Sequence, residues 1–337
     1  MTTTGRLTSL IDHNPLIAII TLGCPKNEVE TDFIKGSLQQ KGYEFASNLN
    51  NADVVIINTC GFIEPAKQES IDTTLEAVKY KKSGSCRALI LTGCLAQRYP
   101  NELAKGLPEV DAVVGLSAHP ELPKIIEDML SGKRNATVRP LPDFYVERRK
   151  RTSPENPHAY LQIADGCNNF CSYCAIPLIR GRYRSRALES LLDEARFLID
   201  HGVKEINLIA HSPLQHASEK ILRLMNRWGT KADYLKLIEK LKTSVANIAI
   251  RTSLIVGFPG EKEKDFRELA SFVEEAQFDY AAVFEYSAEE GTASSKLPNQ
   301  VPNEMTRERY HELMVPIDSI TIEKNQSLVG RGNGCIN

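Results

Sequence analysis

The sequence lacks any segment suited to crossing or entering a membrane. Its N-terminus (Met1–Leu7) has no long apolar core of the kind found in export signals. No apolar run approaches the roughly 20 residues that span a bilayer. It also lacks an excess of charge of either sign, because 41 Lys and Arg residues face 43 Asp and Glu residues. A field that attracts nucleic acid or anionic lipid is therefore not expected. Because the sequence shows no export signal, the cytoplasm is the predicted location.

Cysteine, in contrast, is plentiful, with 8 residues in the 337-residue chain. Without an export signal, this number indicates metal ligands in a reducing compartment rather than disulfides. Cys167, Cys171 and Cys174 follow a C-x3-C-x2-C spacing, and no histidine or fourth cysteine stands nearby to complete a zinc site. Three thiolates suit an iron–sulfur cluster that keeps one iron open. The alternative is three buried thiols on a turn.

The first part of the chain alternates apolar, β-branched runs with segments of helical periodicity. This alternation predicts parallel βαβ units in an open sheet, within an N-terminal domain of residues 14–131. The predicted strands are 16–22, 53–59, 87–92 and 111–115, and the predicted helices are about 29–41 and 62–82.

A cysteine follows each of the first three predicted strands: Cys24, Cys60 and Cys94. The carboxyl ends of parallel strands line one crevice, so this placement predicts a second site of three thiolates. Adjacent glycines favour the close approach of backbone to a bulky cofactor. Each cysteine taken alone would more often be a small buried residue. Cys86 precedes the third strand and is predicted to be a structural or surface thiol.

Residues 132–157 are rich in Pro, Arg and Lys and predict a domain connection. Its basic run, Arg148–Arg151, is interpreted as a solvated linker, with contact to a phosphate backbone as the alternative. A β/α repeat then resumes over residues 158–325 and predicts a partial barrel with its chemistry at the carboxyl ends of the strands. The predicted strands are 160–164, 205–210, 247–256 and 280–286, and the predicted helices are about 188–200, 218–226, 234–241 and 263–276.

The residues around the cysteines resemble those of the radical S-adenosylmethionine (SAM) methylthiotransferases. Gly23–Asn27, Asn58–Ile63, Gly93–Tyr99 and the loop of Cys167 are similar to the RimO branch, which acts on an aspartate of the twelfth small-subunit ribosomal protein. The MiaB-like branch, which acts on tRNA, typically has Gln-Met in place of Pro25-Lys26. The resemblance therefore favours the ribosomal protein over tRNA as substrate.

The resemblance also implies the cofactors and their tasks. These are SAM, two [4Fe–4S] clusters and an electron donor such as flavodoxin or ferredoxin. The cluster of Cys167, Cys171 and Cys174 would generate the radical that takes a hydrogen from the β-carbon of the aspartate. The cluster of Cys24, Cys60 and Cys94 would present the sulfur that is transferred.

Further positions match the SAM-contacting segments of the family. Tyr173 resembles an aromatic residue beside the adenine of SAM, with ordinary packing as the alternative. Gly257 and Glu261 lie in a segment that resembles the one contacting the adenosine. Arg184 and Arg186 match a basic pair, for which a salt-bridged surface pair is the alternative.

The sequence departs from the family at an internal junction. Leu208–Ser212 runs directly into Pro213–Ala217, where family members have two further strands with their helices. We therefore expect a barrel shortened by about two strands, with uncovered strand faces and no set role for His211 at the junction. A truncated relative that binds clusters without catalysis is a further hypothesis.

The C-terminal part is expected to be short as well. Residues 326–337 resemble a remnant leading to an absent TRAM domain, which is a small β-barrel in the family. Pro316 is expected to kink the helix before this remnant. Cys335 is expected to be an exposed thiol without a function.

Overall fold

The computed structural model describes residues 15–133, 135–137, 140–142, 151–154, 156–210, 214–245 and 248–329. The chain divides into two compact units, one of residues 1–167 with 176–210 and the other of residues 168–175 with 211–337. Strands and helices alternate in both units, which confirms the predicted α/β class. No helix in the described ranges is long and apolar enough to span a membrane. The domain bounds expected from the sequence, with breaks at 131 and 158, stay a prediction.

A six-stranded, wholly parallel sheet forms the main part of the first unit. Its strand order is β2-β1-β3-β4-β5-β6. Every residue of β3 and β4 is buried, as expected for central strands that helices cover on both faces. The predicted open parallel sheet is thereby confirmed. The strands are β1 (Leu16–Thr21), β2 (Glu44–Phe45), β3 (Val54–Thr59), β4 (Ala88–Gly93), β5 (Ala112–Val114) and β6 (Asn135–Thr137).

Two apolar layers cover this sheet because successive residues of a strand face opposite sides. Val54 and Ile56 of β3 belong to one buried cluster, whereas Val55 and Ile57 belong to the other. The helices in this part are α1 (Pro25–Gln39), α2 (Glu64–Ser83), α3 (Cys94–Arg98), α4 (Pro100–Gly106) and α5 (Leu122–Leu130).

The predicted linker differs from its expectation in two places. It contains β6, which pairs with β5 through backbone hydrogen bonds and therefore leaves little trace in the apolar pattern. The side chain of Arg151 is not solvated, because it is only 6 % exposed and pairs with Asp32 at 2.6 Å and Glu194 at 3.2 Å. The interpretation of the basic run as a solvated linker is thus wrong for Arg151. The rest of that run, residues 148–150, lies outside the described residues.

The first unit also contains part of the predicted β/α repeat. β7 (His158–Gln162) pairs in parallel with β10 (Glu205–Ile209), and β8 (Ala164–Asp165) pairs antiparallel with β9 (Arg184–Ser185). None of the five residues of β10 is buried, and Leu208 is 66 % exposed. This agrees with the uncovered strand faces expected beside the shortened region. The helices here are α6 (Ile176–Arg180) and α7 (Leu188–Asp200).

The second unit contains the remaining two strands of the repeat. β11 (Arg251–Val256) and β12 (Tyr280–Glu285) pair in parallel, so all four predicted strands exist and lie in two two-stranded sheets. Phenylalanines of α10 pack with Leu313 and Ile317 of α11 in the core. The helices are α8 (Glu219–Leu224), α9 (Lys231–Ser244), α10 (Glu263–Ala276) and α11 (Asn303–Leu328).

Three sequence predictions concern the junction and the C-terminal part. The junction residues His211, Ser212 and Pro213, and likewise Cys335, lie outside the described residues. α11 begins after Pro302 and continues through Pro316, and the kink expected at this proline stays a prediction.

Candidate metal and cofactor sites

The structure places Cys24, Cys60 and Cys94 at the carboxyl ends of neighbouring strands, as predicted. Cys60 directly follows β3, Cys94 directly follows β4 as the first residue of α3, and Cys24 precedes α1 after the end of β1. Cys94 lies close enough to Cys24 and Cys60 for their charges, besides its burial, to raise the pKa of its thiol, and Cys24 acts on the pKa of Cys60 in the same way. Cys24 is exposed, whereas Cys60 and Cys94 are buried. The topology of the sheet thus brings together residues that are far apart in the sequence.

Two glycines permit close packing at the strand ends that carry these cysteines. Gly23 has a φ of +90°, and a Cβ built on it would lie 2.6 Å from the Cβ of Cys60. Gly93 has a φ of +93°, and its Cβ would lie 2.4 Å from the side-chain oxygen of Asn58. Both backbone conformations favour glycine, and neither position accommodates a side chain. The glycines predicted to permit a close approach therefore meet a steric requirement.

The side chain of Asn27 ties two of the cysteine-bearing loops together. It is fully buried, and its Nδ2 donates hydrogen bonds to the carbonyl oxygens of Leu22 at 2.7 Å and Thr59 at 3.1 Å. These carbonyls precede Cys24 and Cys60 by two residues and one residue. Ser70 of α2 holds the other side of Cys60, because its hydroxyl accepts from the amide of Cys60 and donates to its carbonyl. Both side chains therefore fix the backbone around the thiols.

Burial shifts the pKa values of ionisable groups in this site. It raises the pKa of the Cys94 thiol to about 12, although the positive charge of Arg180 opposes the shift. Burial also raises the pKa of Cys60 and lowers that of Lys26 to about 8. Metal binding to these cysteines therefore has to release thiol protons, since the thiolate is the ligand.

The donors in this site fit an iron–sulfur cluster. Among the residues that the structure describes, no three His, Cys, Asp or Glu side chains already surround one position for a single metal ion. A [4Fe–4S] cluster makes a different demand, because each thiolate binds its own iron at a separate corner. Three thiols that follow neighbouring parallel strands, with Cys60 packed closely against Gly23, meet that demand.

The C-x3-C-x2-C motif has Cys167 in the first unit, and Cys171 and Cys174 in the second unit. In the first unit, the amide of Cys167 donates to the carbonyl of Gly181 at 3.1 Å. In the second unit, the amide of Cys174 donates to the carbonyl of Cys171 at 3.1 Å, which forms a tight turn. The sulfur of Cys171 accepts a hydrogen bond from Arg227 at 3.3 Å. None of these three cysteines forms a disulfide, so each sulfur can still act as a ligand.

Tyr173 lies in a small buried cluster of the second unit. Its ring contacts that of Phe258 edge to face, with 6.2 Å between the centroids. Burial, together with the neighbouring Cys171, raises the pKa of its hydroxyl, so the phenol stays neutral at ordinary pH. Phe258 belongs to the segment predicted to contact adenosine. The proposed adenine-side position of Tyr173 stays a prediction, and the packing expected as its alternative is present.

The structure gives Gly257 and Glu261 a shared structural role. The amide of Gly257 donates to Glu261 Oε2 at 3.1 Å, and Arg309 of α11 donates to Oε1 at 2.8 Å. A Cβ on Gly257, whose φ is +76°, would lie 2.2 Å from the hydroxyl of Thr306. His216 Nε2 lies 3.4 Å from the same carboxylate. Contact of these residues with SAM stays a prediction, but the buried carboxylate already stabilises the turn.

The predicted basic pair is buried and paired with acidic residues. Arg184 donates to Asp165 at 3.2 Å, and Arg186 donates to Glu194 at 2.6 Å. The alternative of a salt-bridged pair is therefore present, but it is not at the surface. Cys86 is a buried thiol that donates to the carbonyl of Ala88 at 3.4 Å, which agrees with the predicted structural role.

Sequence reasoning missed the residues that position the cysteines. Asn27 and Ser70 had no assigned role, although Asn27 falls inside the first cysteine segment. Arg180 and Arg227, which donate to Cys94 and Cys171, were also missed. The only signal for Arg180 was its place in the segment after Cys174. Pairing over such sequence distances cannot be recognised without the fold.

Comparison with protein families identifies the class. Residues 16–115 match the uncharacterized protein family UPF0004. The Radical SAM superfamily matches in two pieces, residues 161–217 and 209–273, which meet around the internal junction. The chain is therefore a radical SAM protein with an N-terminal domain of that uncharacterized family. Radical SAM proteins use SAM and a [4Fe–4S] cluster, which confirms this part of the expected cofactors.

Comparison with individual proteins identifies the branch. The ribosomal protein uS12 methylthiotransferase RimO of Geobacter sulfurreducens is 40 % identical, with 93 % of this chain and 84 % of that protein covered. RimO of Desulforamulus reducens is 39 % identical, with 94 % and 85 % covered. The chain belongs to the RimO family of methylthiotransferases, as the sequence resemblance indicated.

The same comparison reveals a gap. The alignment with the Geobacter protein runs over 376 positions, whereas 93 % of this 337-residue chain is only about 313 residues. About 60 positions of the relative therefore have no counterpart here. The family match in two pieces places an interruption at the predicted junction.

Among solved structures, the radical SAM methyltransferase TsrM from Kitasatospora setae, bound to tryptophan and a SAM analogue, has a similar fold. The TM-score is 0.56 at 11 % identity, with 91 % of this chain and 89 % of that chain covered. At this low identity the likeness concerns the fold alone.

Proposed function

We propose that this protein is a radical SAM methylthiotransferase that places a methylthio group on the β-carbon of an aspartate in ribosomal protein uS12. The observation that carries the proposal is the identity of about 40 % to RimO proteins over nearly the whole chain. The six cysteines and their flanking segments support it. The shortened region between β10 and β11 makes catalysis by this particular chain the point to test.

The chemistry of the substrate explains why cofactors are required. A C–H bond on the sp3 β-carbon of aspartate is too weakly acidic for any side-chain base whose pKa shifts by a few units. Reactions of this difficulty depend on a cofactor, while the protein supplies binding and orientation. A cluster held by Cys167, Cys171 and Cys174 would supply the electron that cleaves the sulfonium of SAM into methionine and a 5′-deoxyadenosyl radical, which would take this hydrogen.

We assign the six cysteines to two clusters. Cys167, Cys171 and Cys174 would hold the cluster that binds SAM, and Cys24, Cys60 and Cys94 would hold the cluster that carries the transferred sulfur. Asn27 and Ser70 fix the backbone around Cys24 and Cys60 through buried hydrogen bonds. Tyr173 and Phe258 supply an apolar wall beside Cys171 and Cys174, which favours exclusion of water.

The proposed partners follow from the same assignment. An electron donor such as flavodoxin or ferredoxin would reduce the SAM-binding cluster, and the reaction would take place in the cytoplasm. A tRNA substrate is the second candidate from the sequence. The balanced charge of the chain gives it no support, because phosphate-backbone binding depends on an excess of basic residues.

The test is a product assay with both substrates. The anaerobically reconstituted protein is incubated with SAM, sulfide and a reductant, together with purified uS12 or with unmodified tRNA. The proposal expects a methylthio group in place of one hydrogen on an aspartate of uS12, and none on tRNA. A matched Cys174→Ala variant should give no product. Release of 5′-deoxyadenosine without any modification of uS12, or modification of tRNA instead, would contradict the proposal.

A further inference from the structure

We propose that Arg180 is a positioning residue for the cluster of Cys24, Cys60 and Cys94, and that its hydrogen bond to the Cys94 sulfur raises the reduction potential of this cluster. The inference rests on the proposed function, because it takes these cysteines to be cluster ligands. It assigns a task to a buried charge that the sequence analysis left without one.

The contact itself is direct and buried. Arg180 Nη2 lies 3.1 Å from the sulfur of Cys94. The Arg180 side chain is 1 % exposed, so water does not satisfy its donors. Burial of a charged group is costly unless it is paired and hydrogen-bonded, so each of its donors needs a protein acceptor, and the Cys94 sulfur is one of these.

The other partners of Arg180 hold its guanidinium in one orientation. Nη1 donates to Glu30 at 2.7 Å and to Asp165 at 3.3 Å. Asn27 Oδ1 at 3.1 Å and Glu30 at 3.3 Å also lie within reach of Nη2, so its two hydrogens are shared among three acceptors, the Cys94 sulfur included. The planar guanidinium is thereby fixed with Nη2 directed at the sulfur. Asn27, which ties the loops of Cys24 and Cys60 together, is thus linked to the third cysteine through Arg180.

Two physical effects follow for a bound cluster. A thiolate that binds iron carries negative charge, and a charged donor at hydrogen-bond distance stabilises it more than a neutral donor does. Reduction adds a further negative charge to the cluster. A nearby positive charge and hydrogen bonds to the sulfurs favour the reduced state, and therefore raise the reduction potential.

Arg184 provides a matched control in the same part of the fold. It is also buried, and it donates to Asp165 at 3.2 Å and to the carbonyl of Arg180 at 3.0 Å. No hydrogen bond to a cysteine is recorded for it among the described residues. Replacement of Arg184 therefore perturbs the same buried charge network without removing the contact to sulfur.

The experiment isolates the cluster in question. The full-length chain with Cys167, Cys171 and Cys174 replaced by alanine is reconstituted anaerobically, and Arg180→Lys and Arg184→Lys are added separately. Iron content, the electron paramagnetic resonance spectrum and the midpoint potential are measured for each protein. We expect about four irons per chain throughout. We also expect a lower midpoint potential and an altered spectrum for Arg180→Lys alone. An unchanged potential in an iron-loaded Arg180→Lys protein would overturn the inference.

A second variant covers the case in which Arg180→Lys does not fold. Arg180→Gln combined with Glu30→Gln removes both members of the buried ion pair, so that neither charge is left uncompensated. A fall in potential is still expected because the hydrogen bond to Cys94 is lost, although the loss of the Glu30 carboxylate makes it smaller, and its absence would likewise overturn the inference. If the parent with intact Arg180 binds no iron, the proposed second cluster fails, and the role of Arg180 fails with it.

Discussion

Gly23 and Cys60 approach so closely that no side chain fits between them. A Cβ built on Gly23 would lie 2.6 Å from the Cβ and 2.9 Å from the sulfur of Cys60. The two residues follow the neighbouring parallel strands β1 and β3, so the contact packs together the two loops that carry Cys24 and Cys60. Gly23→Ala should therefore displace Cys60 and reduce the iron bound by the reconstituted protein, as measured by metal analysis.

Gly202 supplies the control for this prediction. Its φ of +93° nearly equals the +90° of Gly23, but a Cβ built on it meets nothing within 4 Å. Gly202→Ala should lower the free energy of unfolding by about 1–2 kcal/mol, because a left-handed backbone is unfavourable for alanine. It should leave the iron content unchanged. Equal iron in both variants would contradict a role for the Gly23–Cys60 contact in the cluster site.

The cysteines should differ in their reactivity before clusters are loaded. Cys24 is exposed, whereas Cys60 and Cys94 are buried, and burial raises the pKa of Cys94 to about 12. Because the thiolate is the reactive form, alkylation of the metal-free protein at pH 8 should, among these three cysteines, modify Cys24 first and Cys94 last. Mass spectrometry of peptides from a time course measures the order.

Cluster loading should then protect Cys24 although it lies at the surface. Cys86 is the internal control, because it is buried, lies outside the site and should react slowly before and after loading. Unchanged alkylation of Cys24 in the iron-loaded protein would exclude it as a ligand.

Glu261 should contribute to the stability of the second unit. Glu261→Gln retains an oxygen for the amide of Gly257 but leaves the buried Arg309 without its carboxylate. Removal of one partner from a buried ion pair costs about 3–5 kcal/mol, and we expect a loss near the lower end because other acceptors remain. Urea unfolding measures this change.

The control for Glu261 is Glu263, whose exposed carboxylate lies 3.7 Å from Arg309. Glu263→Gln should change the free energy of unfolding by no more than about 0.5 kcal/mol, since surface substitutions are usually that mild. If the two variants were equally stable, the pair of Glu261 and Arg309 would not hold the turn.

The sequence allowed the sheet and the cysteines to be predicted together because both depend on short-range patterns. Apolar runs marked β1, β3 and β4, and the cysteine after each run placed the thiols at one sheet edge. β2 and β6 were not predicted, because strands of two or three residues that pair through the backbone carry no usable apolar alternation.

The supporting residues of the site were beyond the reach of sequence reasoning. Arg180 contacts a cysteine 86 positions away, and Asn27 bonds to a carbonyl 32 positions away. Such pairings depend on how the chain folds back on itself. Gly257 shows a different difficulty. The sequence predicts that this glycine contacts a ligand, but the structure shows that a side chain at this position would also collide with Thr306.

Iron and sulfide analysis of the anaerobically reconstituted full chain tests the central claim of two three-cysteine clusters most directly. The expected values are about eight of each per chain in the unmodified protein, and about four after Cys167, Cys171 and Cys174 are replaced by alanine. Four irons in the unmodified protein, or zinc in place of iron, would contradict the assignment of the six cysteines to two clusters.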